Sequence, residues 1–273
     1  MSTGGAARPG LKVGYTCKAV AADHPTVGTQ MRWIAALAAD PRVEAVHVFT
    51  PERGAGEVPA NVTVHVLPPG RWWRKALAFV TATARREMAT LDFFLVVQGG
   101  PYPALLLPWK ARTRRTLAHW KAQPHASPRM RFYARWCDDV IFTPTAGSFP
   151  HQPEKVRVIG HGIDTNLFRP GTDPPDRDLA VITRIARIKH LDDVIRAVAA
   201  ASGRPQVDII GPTRPPDVDY EHELRALAAS LGVADQVRFL GARTHHEVAA
   251  ARHHARLEPG AHADHEDAES GGA

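Results

Sequence analysis

The chain has 273 residues, 44% of them hydrophobic and 23% charged, which fits about two globular domains and excludes wholesale disorder. Its 23 prolines and 21 glycines are dispersed, which excludes collagen and low-complexity linkers. The net charge of +6 is local: thirteen Lys or Arg face two acids, Glu87 and Asp92, between Arg71 and Arg135. Such a basic first half points to an anionic partner (phosphate, nucleic acid or an acidic membrane surface), the plainer alternative being a solvated basic face. No apolar run approaches the roughly 18 residues of a bilayer span, and residues 1–10 lack the apolar core of a secretory signal. Cys17 and Cys137 form neither a CxxC pair nor a framework, and read as reduced thiols of a cytosolic protein.

In chain order, short β-branched runs alternate with helix-length amphipathic segments. Strands are expected at 11–16, 43–50, 62–67, 93–97, 116–119, 140–143 and 156–160, and helices at 28–39, 73–89, 102–111 and 128–137. The run Phe93-Phe94-Leu95-Val96-Val97 is apolar throughout, as a strand buried on both faces is. Strand–helix alternation with short connections predicts an α/β chain with a parallel, doubly wound sheet. Residues 164–178, rich in Pro and Asp, read as a linker. The pattern restarts with strands at 179–184, 207–210 and 237–240 and helices at 191–201, 220–231 and 245–251. The expected organisation is a disordered 1–10, a first domain over 11–163, the linker 164–178, a partial second domain over 179–252, and a disordered acidic, His-rich tail over 253–273.

The first strand is followed by neither G-x-G-x-x-G nor a Walker A loop, so the nicotinamide and P-loop readings lose their support. Gly28, at an expected helix N-terminus, is a weak phosphate-binding candidate beside the plain reading of a turn. A sharper signal is VITRIARIKHLDDVIRAV. It places Arg184 at the carboxyl end of a strand and Lys189 five residues later, where the next helix begins. Ligands of open α/β sheets bind at that edge, and two cations there suit a diphosphate.

The surroundings of this pair resemble the retaining glycosyltransferases of family 4. The matching residues are Gly162, Ile163, Asp164, Phe168 and Pro170, then Arg184, Ile185 and Lys189, then Gly211, then Val237, Phe239, Leu240 and Gly241. The resemblance covers roughly 155–251 by motif and extends to Leu11 by strand order. It implies a GT-B fold of two Rossmann-like domains, the first on the acceptor side and the second, incomplete, binding a nucleotide sugar. It further implies retaining hexosyl transfer from a nucleotide diphospho-sugar to a lipid-linked or cell-envelope saccharide. The diphosphate would be held by Arg184 and Lys189 with Gly28, and Gly211 and Gly241 would form donor-site loops. No cofactor and no metal are implied. His119, at a strand end expected to face the cleft, becomes the catalytic candidate; the plainer alternative is a structural His. His161 is expected to shape the interdomain turn.

Departures from the pattern are Thr183 and His190, where the family has glycines on either side of the Arg and Lys, and a missing E-x(7)-E element. Glu258 and Glu266 have that spacing without the apolar helix it sits on. The apolar periodicity stops near Arg252, so the expectation is a frame departing from the family there and a chain without transferase activity. The histidines at 245, 246, 253, 254, 262 and 265 are split between a helix and the tail, which argues against a zinc site. Five of the six tryptophans lie in or beside the basic stretch. Trp120 and Trp136 are expected in the core. Aromatics among cations can stack on bases or equally anchor at lipid headgroups, and of these tryptophans Trp72 and Trp73, among Arg71, Arg74 and Lys75, are the better membrane candidates. The expected location is cytoplasmic, peripheral on the inner membrane face. The competing reading is a non-catalytic binder of anionic lipid or nucleic acid.

Overall fold

The computed structural model describes residues 10–21, 29–97, 100–122, 126–169 and 177–253. Gly28, Pro170 and residues 254–273 lie outside them, and with them the expectations for the Gly28 phosphate site and for most of the tail. The chain divides into two compact units, Met1–Ile163 and Asp164–Ala273.

The first unit is a seven-stranded sheet of order β3-β2-β1-β4-β5-β6-β7, parallel throughout. The strands are β1 (Leu11–Thr16), β2 (Val43–Thr50), β3 (Val62–Val66), β4 (Phe93–Val97), β5 (Thr116–Trp120), β6 (Val140–Thr143) and β7 (Val156–Val158). The helices are α1 (Thr29–Ala39), α2 (Trp72–Thr83), α3 (Tyr102–Leu105), α4 (Leu107–Thr113) and α5 (Pro128–Phe132). One face packs Phe49, Phe79, Phe94 and Trp109 into a single cluster with Met88, Leu91 and Leu106. Gly14 makes this possible: a Cβ there would lie 2.5 Å from the Phe94 ring, its register partner on β4.

Three helices differ from the periodicity for local reasons. The segment expected as one helix over 73–89 ends at Thr83, whose hydroxyl donates back to the Phe79 carbonyl at 3.0 Å. The Arg112 guanidinium then caps the freed carbonyls of Ala84, at 2.6 Å, and Thr83, at 3.2 Å. The helix expected over 102–111 is split at Leu106, because Pro108 has no N–H to continue the first segment. The helix expected over 128–137 finishes as a π-turn, Tyr133–Cys137, closed by the Asp138 N–H on the Tyr133 carbonyl. That turn carries Trp136 outward at 64% exposure, correcting its expected place in the core, whereas Trp109 and Trp120 are buried. Both cysteines are free and buried.

The second unit is a parallel sheet of order β10-β9-β8, with β8 (Leu179–Ile182), β9 (Val207–Ile210) and β10 (Val237–Gly241). It carries α6 (Leu191–Ala200), α7 (Val218–Ser230) and α8 (His245–His253). All four residues of β9 are buried, as its central place requires. Ile195, Val198, Tyr220, Leu224 and Ala228 cover the sheet from α6 and α7. Asp208 on β9 is held bidentately by its register partner Arg238 on β10, at 2.7 Å to each oxygen.

Candidate functional site

The loops leaving β8, β9 and β10 meet at the carboxyl edge of the second sheet. The strand expected over 179–184 ends at Ile182, so Arg184 stands in the loop, two residues past the ladder. That loop follows the next one closely. The Thr183 N–H donates to the Ile210 carbonyl at 2.9 Å, and the Ile185 N–H to the Pro212 carbonyl at 3.0 Å. Gly211 lies between these bonds and donates its own N–H to the Gly241 carbonyl at 2.9 Å. A Cβ on Gly211 would sit 1.9 Å from the Thr183 carbonyl oxygen, so only glycine allows the two loops to touch. Gly241 has open space around it and a left-handed φ of +67°, which sets glycine there for a different reason.

Ile185 and Ala186 are buried and root the loop in the core, leaving Arg184 half-buried. A single turn, Arg187–Lys189, follows and ends on exposed Lys189 just before α6. The three cations of this loop are not equivalent. Arg187 donates to Glu223 at 2.5 Å and lies 4.9 Å above the Tyr220 ring. Among the described residues Arg184 and Lys189 have no ion pair and no side-chain hydrogen bond. Asp192, in the first turn of α6, is turned aside by the Tyr220 hydroxyl at 2.9 Å, which holds its carboxyl below the usual carboxylate range. His190, where the resemblance expects glycine, is left-handed, with φ +48° and ψ +44°. The position still requires a glycine-like backbone even though the side chain has changed.

His119 is placed differently from the expectation. It sits on β5 at 0% exposure and faces no open surface. Its Nδ1 is 3.1 Å from buried Asp138 and its Nε2 is 3.4 Å from the Lys121 ammonium. Burial lowers the His119 pKa against the opposing pull of Asp138. The same burial pulls Lys121 down to about 8. Lys121, which the sequence reading passed over, also lies 5.3 Å from the centre of the Phe149 ring. Lys155 closes the cluster from behind, donating to the carbonyls of Ala134, Arg135 and Asp138 at 2.9 Å each. With both ring nitrogens engaged, His119 reads as a packing element of the sheet. His161 packs edge-on against Trp120, with ring centres 5.6 Å apart. Among the described residues no three His, Cys, Asp or Glu side chains converge as metal ligands.

No family model matches the chain. A D-inositol 3-phosphate glycosyltransferase of Stackebrandtia nassauensis is 26% identical over 261 residues, covering 75% of this chain and 59% of that relative. The chain thus spans under two thirds of that relative's length. Among solved structures, Anabaena HepE in complex with UDP and glucose superposes with a TM-score of 0.65 at 17% identity, over 88% of this chain and 72% of that one. Sucrose-phosphate synthase from Thermosynechococcus elongatus gives 0.67 at 14% identity, over 90% and 74%. The architecture is that of the GT-B glycosyltransferases.

Proposed function

We propose, from the premise that this chain is a relative of the family 4 retaining glycosyltransferases, that its second unit holds the diphosphate of a nucleotide sugar on Arg184 and Lys189. The observation that carries the reading is the loop itself. It presents two cations unpaired among the described residues at the carboxyl edge of a parallel sheet, while its third cation is neutralised by Glu223. Arg184 offers two parallel N–H donors on a backbone fixed by Gly211, and Lys189 adds a mobile point charge. In hexosyl transfer from such a donor, negative charge grows on the departing phosphate. Cations already positioned there stabilise it without reorganisation. The complex of HepE with UDP and glucose supports a nucleotide diphosphate as the ligand class. The acceptor assigned by this reading is a lipid-linked or cell-envelope saccharide, on the side of the first unit.

Calorimetric titration of the chain with UDP and with inorganic diphosphate tests the proposal. Binding of either should weaken by about 1.5–3 kcal/mol in Arg184→Ala, the range for a hydrogen bond to a charged group. Arg187→Ala, whose guanidinium is already occupied, should leave the affinity nearly unchanged. Equal affinities in wild type and Arg184→Ala would refute the assignment.

A further inference from the structure

The amino-terminal end of α2 combines two properties that the donor site does not use. Trp72, Trp73 and Leu77 are 71%, 50% and 63% exposed, although α2 is firmly held on its other side. Phe79 is fully buried there, with ring centres 5.2 Å from Phe49 and 5.0 Å from Tyr102. The helix therefore cannot roll to hide its apolar tip. At the same tip stand Arg71, Arg74 and Lys75, and beyond its far end Arg85 and Arg86. Among the described residues none of these five is ion-paired, and no acid occurs from Arg71 to Arg86. No side chain caps the helix start, so its N–H groups add positive potential at the same point.

Single exposed apolar residues are ordinary on a surface, but two adjacent tryptophans and a leucine on one rigid helix end are not. Tryptophan favours the boundary between lipid headgroups and acyl chains, and flanking cations can reach back to the phosphates while their stems cover apolar surface. We propose that the start of α2 is a docking surface for an anionic lipid bilayer, with Trp72, Trp73 and Leu77 inserted to headgroup depth and Arg71, Arg74 and Lys75 on lipid phosphates. The charge pattern selects this occupant: five cations without an acid fit a surface of one sign, and bare aromatic and aliphatic side chains fit its apolar layer. The inference stands on the first unit alone and does not depend on the donor reading.

Vesicle sedimentation of the full chain tests it, using phosphatidylcholine vesicles and vesicles of equal parts phosphatidylcholine and phosphatidylglycerol. Each cation near an anionic surface contributes about fivefold in partitioning. Binding to the anionic vesicles should thus exceed that to neutral ones by at least about a hundredfold with three cations engaged, and fall as salt is raised. Arg71→Gln with Arg74→Gln should remove most of that preference. Trp73→Ser with Leu77→Ser should weaken binding at unchanged charge, and unchanged thermal midpoints would confirm that these exposed changes leave the fold intact. Quenching by brominated lipid should drop in Trp72→Phe with Trp73→Phe. Equal partitioning to both vesicle types would overturn the proposal. Wild-type binding by the Trp73→Ser, Leu77→Ser variant would do so too, as would salt-sensitive retention on an oligonucleotide without vesicle binding.

Discussion

Replacing Gly211 by alanine is the most direct test of how the donor-side loop is built. The added Cβ would fall 1.9 Å from the Thr183 carbonyl oxygen and 3.1 Å from the Arg184 nitrogen, where real Cβ atoms essentially never approach within 3.0 Å. The two loops must therefore part by about 1 Å, and the atoms in the way are backbone, which cannot swing aside as a side chain would. The bonds that hold them are the Thr183 N–H on Ile210 at 2.9 Å and the Ile185 N–H on Pro212 at 3.0 Å. Stretching both by about 1 Å takes them beyond hydrogen-bonding range. Two lost bonds at about 1 kcal/mol each, with buried groups left unsatisfied, predict a loss of about 2–4 kcal/mol. For a unit of this size that lowers the midpoint by at least about 8 °C. Gly203→Ala is the control: nothing lies within 4 Å of its Cβ position, so it should be neutral or slightly stabilising. All six tryptophans precede residue 164, so indole fluorescence follows the first unit, and the loss should appear instead in the far-UV circular dichroism transition. UDP affinity should fall as well, because the displaced segment carries Arg184. A Gly211→Ala protein that melts like Gly203→Ala would refute the close-approach argument.

The strands were legible because burial on both faces leaves a mark that composition cannot hide. Phe93–Val97 is apolar at every position, and its observed bounds match those read from the sequence. Helix limits were less legible, because they depend on distant partners. Nothing near Thr83 announces that Arg112, 29 residues on, will take its carbonyl. In the candidate site the sequence showed the cations but not their states. Arg184, Arg187 and Lys189 look alike in a string, and only the fold brings Glu223 to one of them. Gly211 was visible as a residue after a strand, while its reason, contact with Thr183, lies 28 positions away. For His119 the sequence showed a His at a strand end, which suits a ligand or a structural role equally, but not the Asp138 and Lys121 side chains that enclose it. A lysine two residues after the histidine, just past the end of β5, was the available clue, since the alternation of side chains puts the two on one face.

Three further outcomes follow from single side chains. His190→Gly removes a Cβ from a left-handed backbone and should stabilise the second unit by about 0.5–1 kcal/mol in urea titration, because the exposed pairing of His190 with Asp193 at 4.0 Å contributes little. Asp208→Ala removes a buried carboxylate that accepts twice from Arg238, while the half-exposed guanidinium keeps access to water, so it should cost about 1 kcal/mol, and no measurable loss would show the pair to be dispensable. The third concerns Lys121, 5% exposed, whose pKa burial pulls from 10.5 to about 8 against the attraction of Asp138. A base with a depressed folded-state pKa binds its proton less readily in the native chain than in the unfolded one. Below pH 8 both states carry the charge, and the native state bears the full net cost of holding it, burial less the attraction of Asp138, about 3 kcal/mol at 1.36 kcal/mol per unit. Between pH 8 and 10.5 only the unfolded state keeps the proton, so native stability rises with pH across that window. Lys121→Met keeps the stem and removes the charge. It should therefore stabilise the first unit by up to about 3 kcal/mol at pH 7, with the gain shrinking steadily above pH 8 and nearly gone at 10.5. Tryptophan-monitored urea titrations of both proteins across that range give the difference directly. A gap that stays constant from pH 7 to 10.5 would mean that Lys121 is not buried as a strained cation, and the account of the His119 cluster would fall with it.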